Sequence, residues 1–509
     1  MLMRFFLLSL FVLNIFLARS QDRPNIVIII SDDHAYQAIS AYGDKGFNAT
    51  PNIDRIADEG MLFNKAYVSN SICGPARAAI LTGKFSSENG YKDNETSYYD
   101  SSQNQFVNEL QKSGYQTAWI GKYHLGRNPQ GFDYSEILPG QGHYFNPDFI
   151  LPDGTVIRKE GYVSDLIEDT AEKWLDQRDT NKPFCLIIGH KATHRTWMPD
   201  LDDMSAFDHV TFPLPETFYD NYDTRKAAAV QDMSIKKTMR MDYDLKMYDS
   251  EAEADKEGNI NRMTPAQRKR FDAYYNAVHD DLKRQNLSGD RLTEWKYQRY
   301  MKDYYATALS LDRNIGRTLN YLDTNNLAGN TIVIYISDQG FYLGEHGWFD
   351  KRFMYEESFR TPMIIRYPKT QRAATQTDAF VMNVDIAPTL LEAAGVPVPQ
   401  DMHGRSFLPL LQGKPFRPAE NVYYHYYENG EHAVSPHFGI RNNRYKLIRF
   451  YKRVESWELF DLKNDPHELH NIYGTKKQRI AKRLKKELLG KIRQYNDNDA
   501  LLIYNTNID

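Results

Sequence analysis

The stretch Asn25-Ile26-Val27-Ile28-Ile29-Ile30-Ser31-Asp32-Asp33 decides the fold class. Five apolar residues in a row, all β-branched and with no polar alternation, describe a strand buried on both faces, as in a parallel sheet covered by helices. Similar runs recur at 116–120, 184–188 and 331–336. Helical patterns lie between them. Leu311, Ile315, Leu319 and Leu322 are spaced by four, four and three, and residues 53–60 end at Gly60, placed to cap a helix. The expected class is α/β, a large, mixed but mainly parallel sheet sandwiched by helices.

The ends of these runs matter more than their middles. In an open α/β sheet, ligands bind beyond the carboxyl ends of the strands. The four runs are followed by Asp32 and Asp33, by Lys122 and His124, by His190 and His194, and by Asp338 and Gln339. One such pair is often a helix cap. Four at the same end of four strands point to a site. Asp32, Asp33, Asp338 and Gln339 offer only oxygen ligands, which suits Ca²⁺, with Mg²⁺ as the alternative, rather than zinc.

At 509 residues, 41% apolar and 26% charged, the chain has the balance of a globular protein. It is too long for one ordinary core. The expected division is a catalytic domain over 21–400 and a smaller C-terminal α+β domain over 401–509. Residues 200–302, charged and rich in Tyr and Met, read as an excursion of helices and loops. After Pro399 come short strand-like pieces at 422–427, 445–451 and 457–462, then a basic helix around 476–495. The net charge of −4 supplies no basic field for nucleic acid or an anionic membrane. An anionic ligand must therefore meet a local cluster of cations.

Residues 1–20 read as a cleavable signal peptide: Arg4, the apolar run 5–17, then Ala18-Arg19-Ser20. The run is shorter than the roughly 20 residues of a spanning helix, so export to periplasm or medium without membrane insertion is expected. Two cysteines in an exported chain do not make a disulfide framework. Cys185, inside an apolar run, reads as a small buried hydrophobe. Cys73 opens Cys73-Gly74-Pro75-Ala76-Arg77 at the start of a plausible helix, where backbone N–H groups favour an anion.

With Thr82-Gly83-Lys84, that stretch resembles the signature of the formylglycine-dependent sulfatases, alkaline-phosphatase-like in fold. Similar stretches run over 23–33, 50–55, 121–126, 337–340 and 344–347. Ala76 stands where Ser is commoner, Gln339 where many members carry Asn or His, and Thr193 where Pro usually precedes the second histidine. The resemblance implies oxidation of Cys73 to formylglycine by a formylglycine-generating maturation enzyme. The modified Cys73 then joins Asp32, Asp33, Asp338 and Gln339 around the cation. One hydroxyl of the hydrated aldehyde attacks sulfur, while the cation, Arg77, Lys122 and Lys351 neutralise the sulfate oxygens. His194, assisted by Lys351, protonates the leaving oxygen, and His124 takes the proton whose loss expels sulfate. On residue type alone, Lys122 and Lys351 would be exposed charges.

The stretches 347–356 and 190–195 are similar to bacterial N-acetylglucosamine-6-sulfatases acting on host glycans. That similarity makes a sulfated carbohydrate the expected partner. Asp350 and Arg352 become candidate sugar contacts, with ordinary salt bridges as the alternative, and His437 is expected to reach in from the small domain. Rivals are a phosphodiesterase or phosphonate-monoester hydrolase of the same superfamily, and a glycan-binding protein with a decayed site.

Overall fold

The computed structural model describes residues 23–506 apart from 44–45, 48, 127, 369–372 and 476. The expected signal peptide lies outside the described residues. Ten strands form one sheet, in the order Thr375–Thr377, Met61–Phe63, Met363–Arg366, Thr331–Ser337, Asn25–Ser31, Phe184–Gly189, Gln116–Lys122, Tyr134–Leu138, Asp148–Ile150, Val156–Arg158. The five strands from Thr331–Ser337 to Tyr134–Leu138 are mutually parallel, and the antiparallel pairings lie outside them.

The continuous apolar runs are explained by this burial. Val27 and Ile29 point into one core with Leu186, Ile188, Val333 and Tyr335. Ile26, Ile28 and Ile30 point into another with Cys185, Ile187, Ile332 and Ile334. Period-two geometry sends successive side chains to opposite faces, and here both faces are covered. Leu311, Ile315, Leu319 and Leu322 form the buried stripe of the helix Gly289–Thr324, which packs on the helices Val163–Gln177 and Pro51–Asp58.

The structure adds to the sequence reading at four places. The helix Gly289–Thr324 runs straight through position 302, so the excursion has no boundary there. Past the expected boundary at 401, Phe407, Leu408 and Leu411 join a core shared with the main sheet, and the C-terminal segment follows them. Its four-stranded antiparallel sheet comprises Asn421–Tyr426, His437–Asn442, Tyr445–Phe450 and Ser456–Asp461, and the helix Gln478–Gln494 is its neighbour in the third core. The second of these strands, carrying Gly439 and Arg441, is absent from the sequence reading. Gly60 is no left-handed cap: a Cβ there would lie 2.3 Å from the Ile365 carbonyl oxygen, so close backbone approach is what requires glycine.

Candidate active site

Parallel register brings the strand ends level. Ser31 pairs with Ser337, Ile30 with Gly189 and Gly121 with Gly189, so Asp32, Asp338, Lys122 and His190 emerge along one edge. Asp338 N–H donates to the Ser31 carbonyl (3.1 Å) and Asp32 N–H to that of Ala192 (3.0 Å). Thr193 ties the next turn to this edge, its N–H donating to the Asp32 carbonyl (2.7 Å) and its hydroxyl to that of Asp33 (3.0 Å).

Cys73 is the first residue of the helix Cys73–Thr82 and is 1% exposed. Its neighbour Gly74 admits no side chain, since a Cβ would lie 2.3 Å from the Tyr91 ring. The Cys73 Sγ is 3.5 Å from Lys351 Nζ and 3.8 Å from Gln339 Nε2. Burial pushes the unmodified thiol up to about 12, so it stays protonated and makes a poor nucleophile at neutral pH.

One helical turn on, Arg77 is fully buried. It donates through Nε to Asp338 Oδ2 (3.1 Å) and through a terminal nitrogen to the Lys122 carbonyl (2.8 Å). Lys122 Nζ donates to Asp32 and to the Gln141 side chain. Lys351 Nζ lies 2.7 Å from both Asp33 oxygens, and Gln339 Nε2 donates to Asp33 Oδ1 (2.5 Å). Three carboxylates are thus matched by three cations in a buried volume.

The match is incomplete. Oxygens of Asp32, Asp33 and Asp338 lie within 4.8 Å of one another. Asp32 Oδ1 and Gln339 Oε1 are buried without a hydrogen-bond partner. Burial and the Asp32 charge push the Asp338 carboxyl up to about 8. Buried acceptors with no donor are costly. Three clustered acids with two orphaned oxygens fit a hard divalent cation.

His194 Nδ1 lies 2.7 Å from the Arg195 carbonyl, which leaves Nε2 facing Asp33 Oδ2 at 3.8 Å. His124 keeps a buried Nδ1 without a partner. Burial holds both imidazoles well below their ordinary value. For Lys351, burial alone would lower the ammonium, but the Asp33 carboxylate and its neighbours hold it well above the usual range.

Cys73, Asp33, His194, Lys351, Asp350 and Arg352 line a cavity of about 270 Å³. Asp350 and Arg352 adopt φ of +82° and +96°, and Asp33 of +65°. Such strain, of order 1–3 kcal/mol per residue, gathers at functional sites. Arg352 donates to Glu428 Oε1 (2.7 Å) and Tyr426 Oη (3.1 Å). Asp350 Oδ2 meets His432 Nε2 at 2.7 Å. His437 does not reach the cavity: fully buried, it accepts from Met354 N–H through Nε2 (3.0 Å), and its Nδ1 lies 2.9 Å from the Ser435 carbonyl. That placement corrects the sequence reading; the histidine of the small domain that meets Asp350 is His432. Gln141, Asn94, Glu95 and Glu428 also line the cavity. They come from loops and a strand end, and no sequence pattern marks them.

Residues 24–396 match the family named Sulfatase. The chain belongs to the sulfatase family. Residues 344–494 also match the C-terminal family of N-sulphoglucosamine sulphohydrolase. This sulfatase is 47% identical, over 94% of its length and 88% of the relative's, to an N-acetylglucosamine-6-O-sulfatase of Bacteroides thetaiotaomicron. It is 29% identical to an arylsulfatase of Clostridium perfringens, over 94% of this chain and 97% of that one. A solved structure in complex with its substrate D-glucosamine-2-N,6-O-disulfate is 47% identical, with a TM-score of 0.90, over 94% of this chain and 99% of that one. This sulfatase is a sulfuric ester hydrolase acting on sulfated sugar.

Proposed function

We propose that the ester cleaved is the 6-O-sulfate of a terminal N-acetylglucosamine in host glycans such as glycosaminoglycans or mucins. The reaction uses formylglycine made from Cys73 by a maturation enzyme, and one Ca²⁺, replaceable by Mg²⁺. The observation that carries this reading is the cavity itself. Cys73, Lys351 and the acid cluster stand together, with the strained Asp350 and Arg352 in the same wall. The name of the 47% identical N-acetylglucosamine-6-O-sulfatase supplies the sugar.

The aldehyde hydrate supplies an oxygen nucleophile that a buried thiol does not. Asp32, Asp33, Asp338 and Gln339 would hold the cation, which adds positive charge beside the sulfate oxygens. Arg77, Lys122 and Lys351 supply the rest of that charge, preorganised by their carboxylate partners. Lys351 carries a proton at neutral pH. His194 is neutral there and presents Nε2, so it takes a proton only when an anion joins it. Its place beside Asp33 makes it the donor to the leaving sugar oxygen, with Lys351 assisting. His124, with its free Nδ1, takes up the proton when sulfate is expelled. Asp350 and Arg352, rather than His437, contact the sugar hydroxyls.

No helix among the described residues is long and apolar enough to cross a membrane. With the signal-like N-terminus, this supports action in periplasm or medium.

The second reading, an N-sulfated rather than N-acetylated glucosamine-6-sulfate, is favoured by the ligand of the solved relative. Sulfate release from position-defined sulfated monosaccharides, with mass spectrometry of the Cys73 peptide, tests both. Release from the N-acetylated 6-sulfate by protein carrying an aldehyde at Cys73 is expected. Faster release from a 2-O-sulfated uronic acid or a 4-O-sulfated galactosamine would overturn the sugar assignment.

A further inference from the structure

The basic helix of the C-terminal domain has no part in the chemistry above. Gln478–Gln494 buries Ala481, Leu484, Leu488 and Ile492. Its other faces carry seven Lys or Arg residues and one acid, Glu487. Such a helix is ordinarily a solvated face. Here it borders a groove of about 550 Å³ walled by Tyr473 and Tyr504 and lined by Lys482, Lys485 and Lys486.

The groove is organised. Lys485 Nζ donates to Tyr473 Oη (2.6 Å) and lies 4.2 Å above the Trp457 ring. Tyr504 Oη donates to the Lys485 carbonyl (3.0 Å), and the Tyr473 and Trp457 rings stack at 6.0 Å. Two aromatic rings and one ammonium are therefore fixed by each other. Lys482 and Lys486 are exposed and have no ion-pair partner among the described residues. In a chain of net charge −4, this is a local cationic site beside immobilised aromatic surface.

We propose that this groove is a second binding site, separate from the catalytic cavity, for a sulfated segment of a glycan chain. Lys482, Lys485 and Lys486 take its sulfate groups, and Tyr473 or Tyr504 lies against a pyranose face. Aromatic rings pack on the apolar C–H face of a sugar and present hydroxyls at their edge. The inference rests on the sulfatase reading only for the kind of anion: the substrate of this enzyme carries sulfate on sugar. It predicts that long sulfated chains are held by two sites at once, raising the effective concentration of chain ends at the cavity.

The test uses full-length protein carrying Cys73→Ala, to prevent turnover, with and without Lys482→Ala and Lys486→Ala together. Titration calorimetry with a sulfated heparan octasaccharide is expected to show affinity falling about five- to thirtyfold in the lysine variant. Tyr504→Ala should weaken the same binding, and replacing both lysines by Arg should retain it. In the active enzyme, the lysine substitutions should leave kcat/KM for the monosaccharide 6-sulfate unchanged. Unaltered octasaccharide affinity would overturn the proposal. So would equal binding of a desulfated octasaccharide, a single-stranded DNA oligonucleotide or phosphatidylglycerol vesicles. Misassigned monosaccharide specificity would show in the turnover assay alone, leaving the binding comparison intact.

Discussion

Lys351 Nζ sits 2.7 Å from each carboxylate oxygen of Asp33, and both side chains are buried. Burial, with the Asp32 and Asp350 charges adding to it, raises this carboxyl, and the Lys351 ammonium opposes that shift without cancelling it. Lys351→Ala removes the ammonium from beside both Asp33 and Cys73. Breaking a buried pair costs about 3–5 kcal/mol, and losing a preorganised charge at the reacting group costs about 10²–10³ in rate. The variant should therefore show both losses in thermal unfolding and kcat/KM. Ca²⁺ should narrow the unfolding deficit, since it replaces the missing positive charge in the folded state. An unchanged melting temperature in EDTA would contradict the pairing.

The orphaned Gln339 Oε1 and Asp32 Oδ1 lead to a second expectation. EDTA should abolish turnover, with Ca²⁺ restoring it best. Asp338→Ala should be inactive even with Ca²⁺ in excess, and Gln339→Leu should bind the cation about 10–100-fold more weakly. Metal analysis of dialysed protein checks both variants. Recovery by Zn²⁺ alone would show that the ligand set is not the hard oxygen site described.

What was legible in the sequence divides along physical lines. The central strands were legible because burial on both faces leaves unbroken apolar runs, and the parallel register then placed Asp32, Lys122 and Asp338 together. Strands of three residues, such as Met61–Phe63 and Thr375–Thr377, carry too few residues to show any period. The far wall of the cavity was hidden for another reason. Asn94 and Glu428 meet only in the fold, where Asn94 N–H approaches Glu428 Oε2 at 3.5 Å. His437 is expected at the cavity on sequence, but strand pairing turns it into a core of Phe353, Tyr424 and Phe450. His432 lies in a short 3₁₀ turn that nothing in the local sequence distinguishes.

His194 gives a prediction about leaving groups. A sugar alkoxide leaves poorly and needs a proton, whereas an activated aryl oxide does not. His194→Ala should lower kcat for the sugar 6-sulfate by about 10²–10⁴, and for 4-nitrocatechol sulfate by roughly tenfold or less, because an acidic phenol needs little protonation. Equal losses on both substrates would remove His194 from the proton-donor role. Steady-state rates on the two esters decide it.

Glu458 sets a pH dependence outside the site. It is fully buried and accepts from Tyr355 Oη at 2.8 Å, while its Oε1 has no partner. Burial, with the Glu468 charge adding to it, pushes its carboxyl from 4.5 up to about 8. The folded state thus holds this proton more tightly than the unfolded chain. Its stabilisation is complete below pH about 4.5 and is lost as pH rises through about 8. Glu458→Gln should flatten the fall in melting temperature between those values and melt a few degrees higher than the unaltered protein at pH 8. Parallel melting curves at every pH would show that this carboxyl is not protonated in the fold.

The remaining prediction concerns Arg352, which bonds Glu428 and Tyr426 while lining the cavity. Its Nε is buried without a partner, and Asp350 Oδ1 lies 3.7 Å away. In the proposed function, a primary 6-O-sulfate, projecting from the ring on a methylene, would sink toward Cys73 and Arg77, leaving O3 and O4 near Asp350 and Arg352. A hydrogen bond from the guanidinium to a neutral hydroxyl is worth about 1.5–3 kcal/mol. Arg352→Ala should therefore lower kcat/KM by tenfold or more with metal content unchanged. The same substitution leaves Glu428 buried and unpaired, which lowers stability by itself. Glu428→Gln separates the two effects, because it removes the stranded charge without supplying a guanidinium. The double variant should regain stability and stay slow. If it also regained full kcat/KM, Arg352 would serve only to neutralise Glu428. An extended chain at O4 would crowd the same wall, so a 6-sulfated sugar at a non-reducing end should turn over faster than the same sugar inside a chain. Comparing a disaccharide sulfated at its terminal sugar with one sulfated at its inner sugar measures that difference directly.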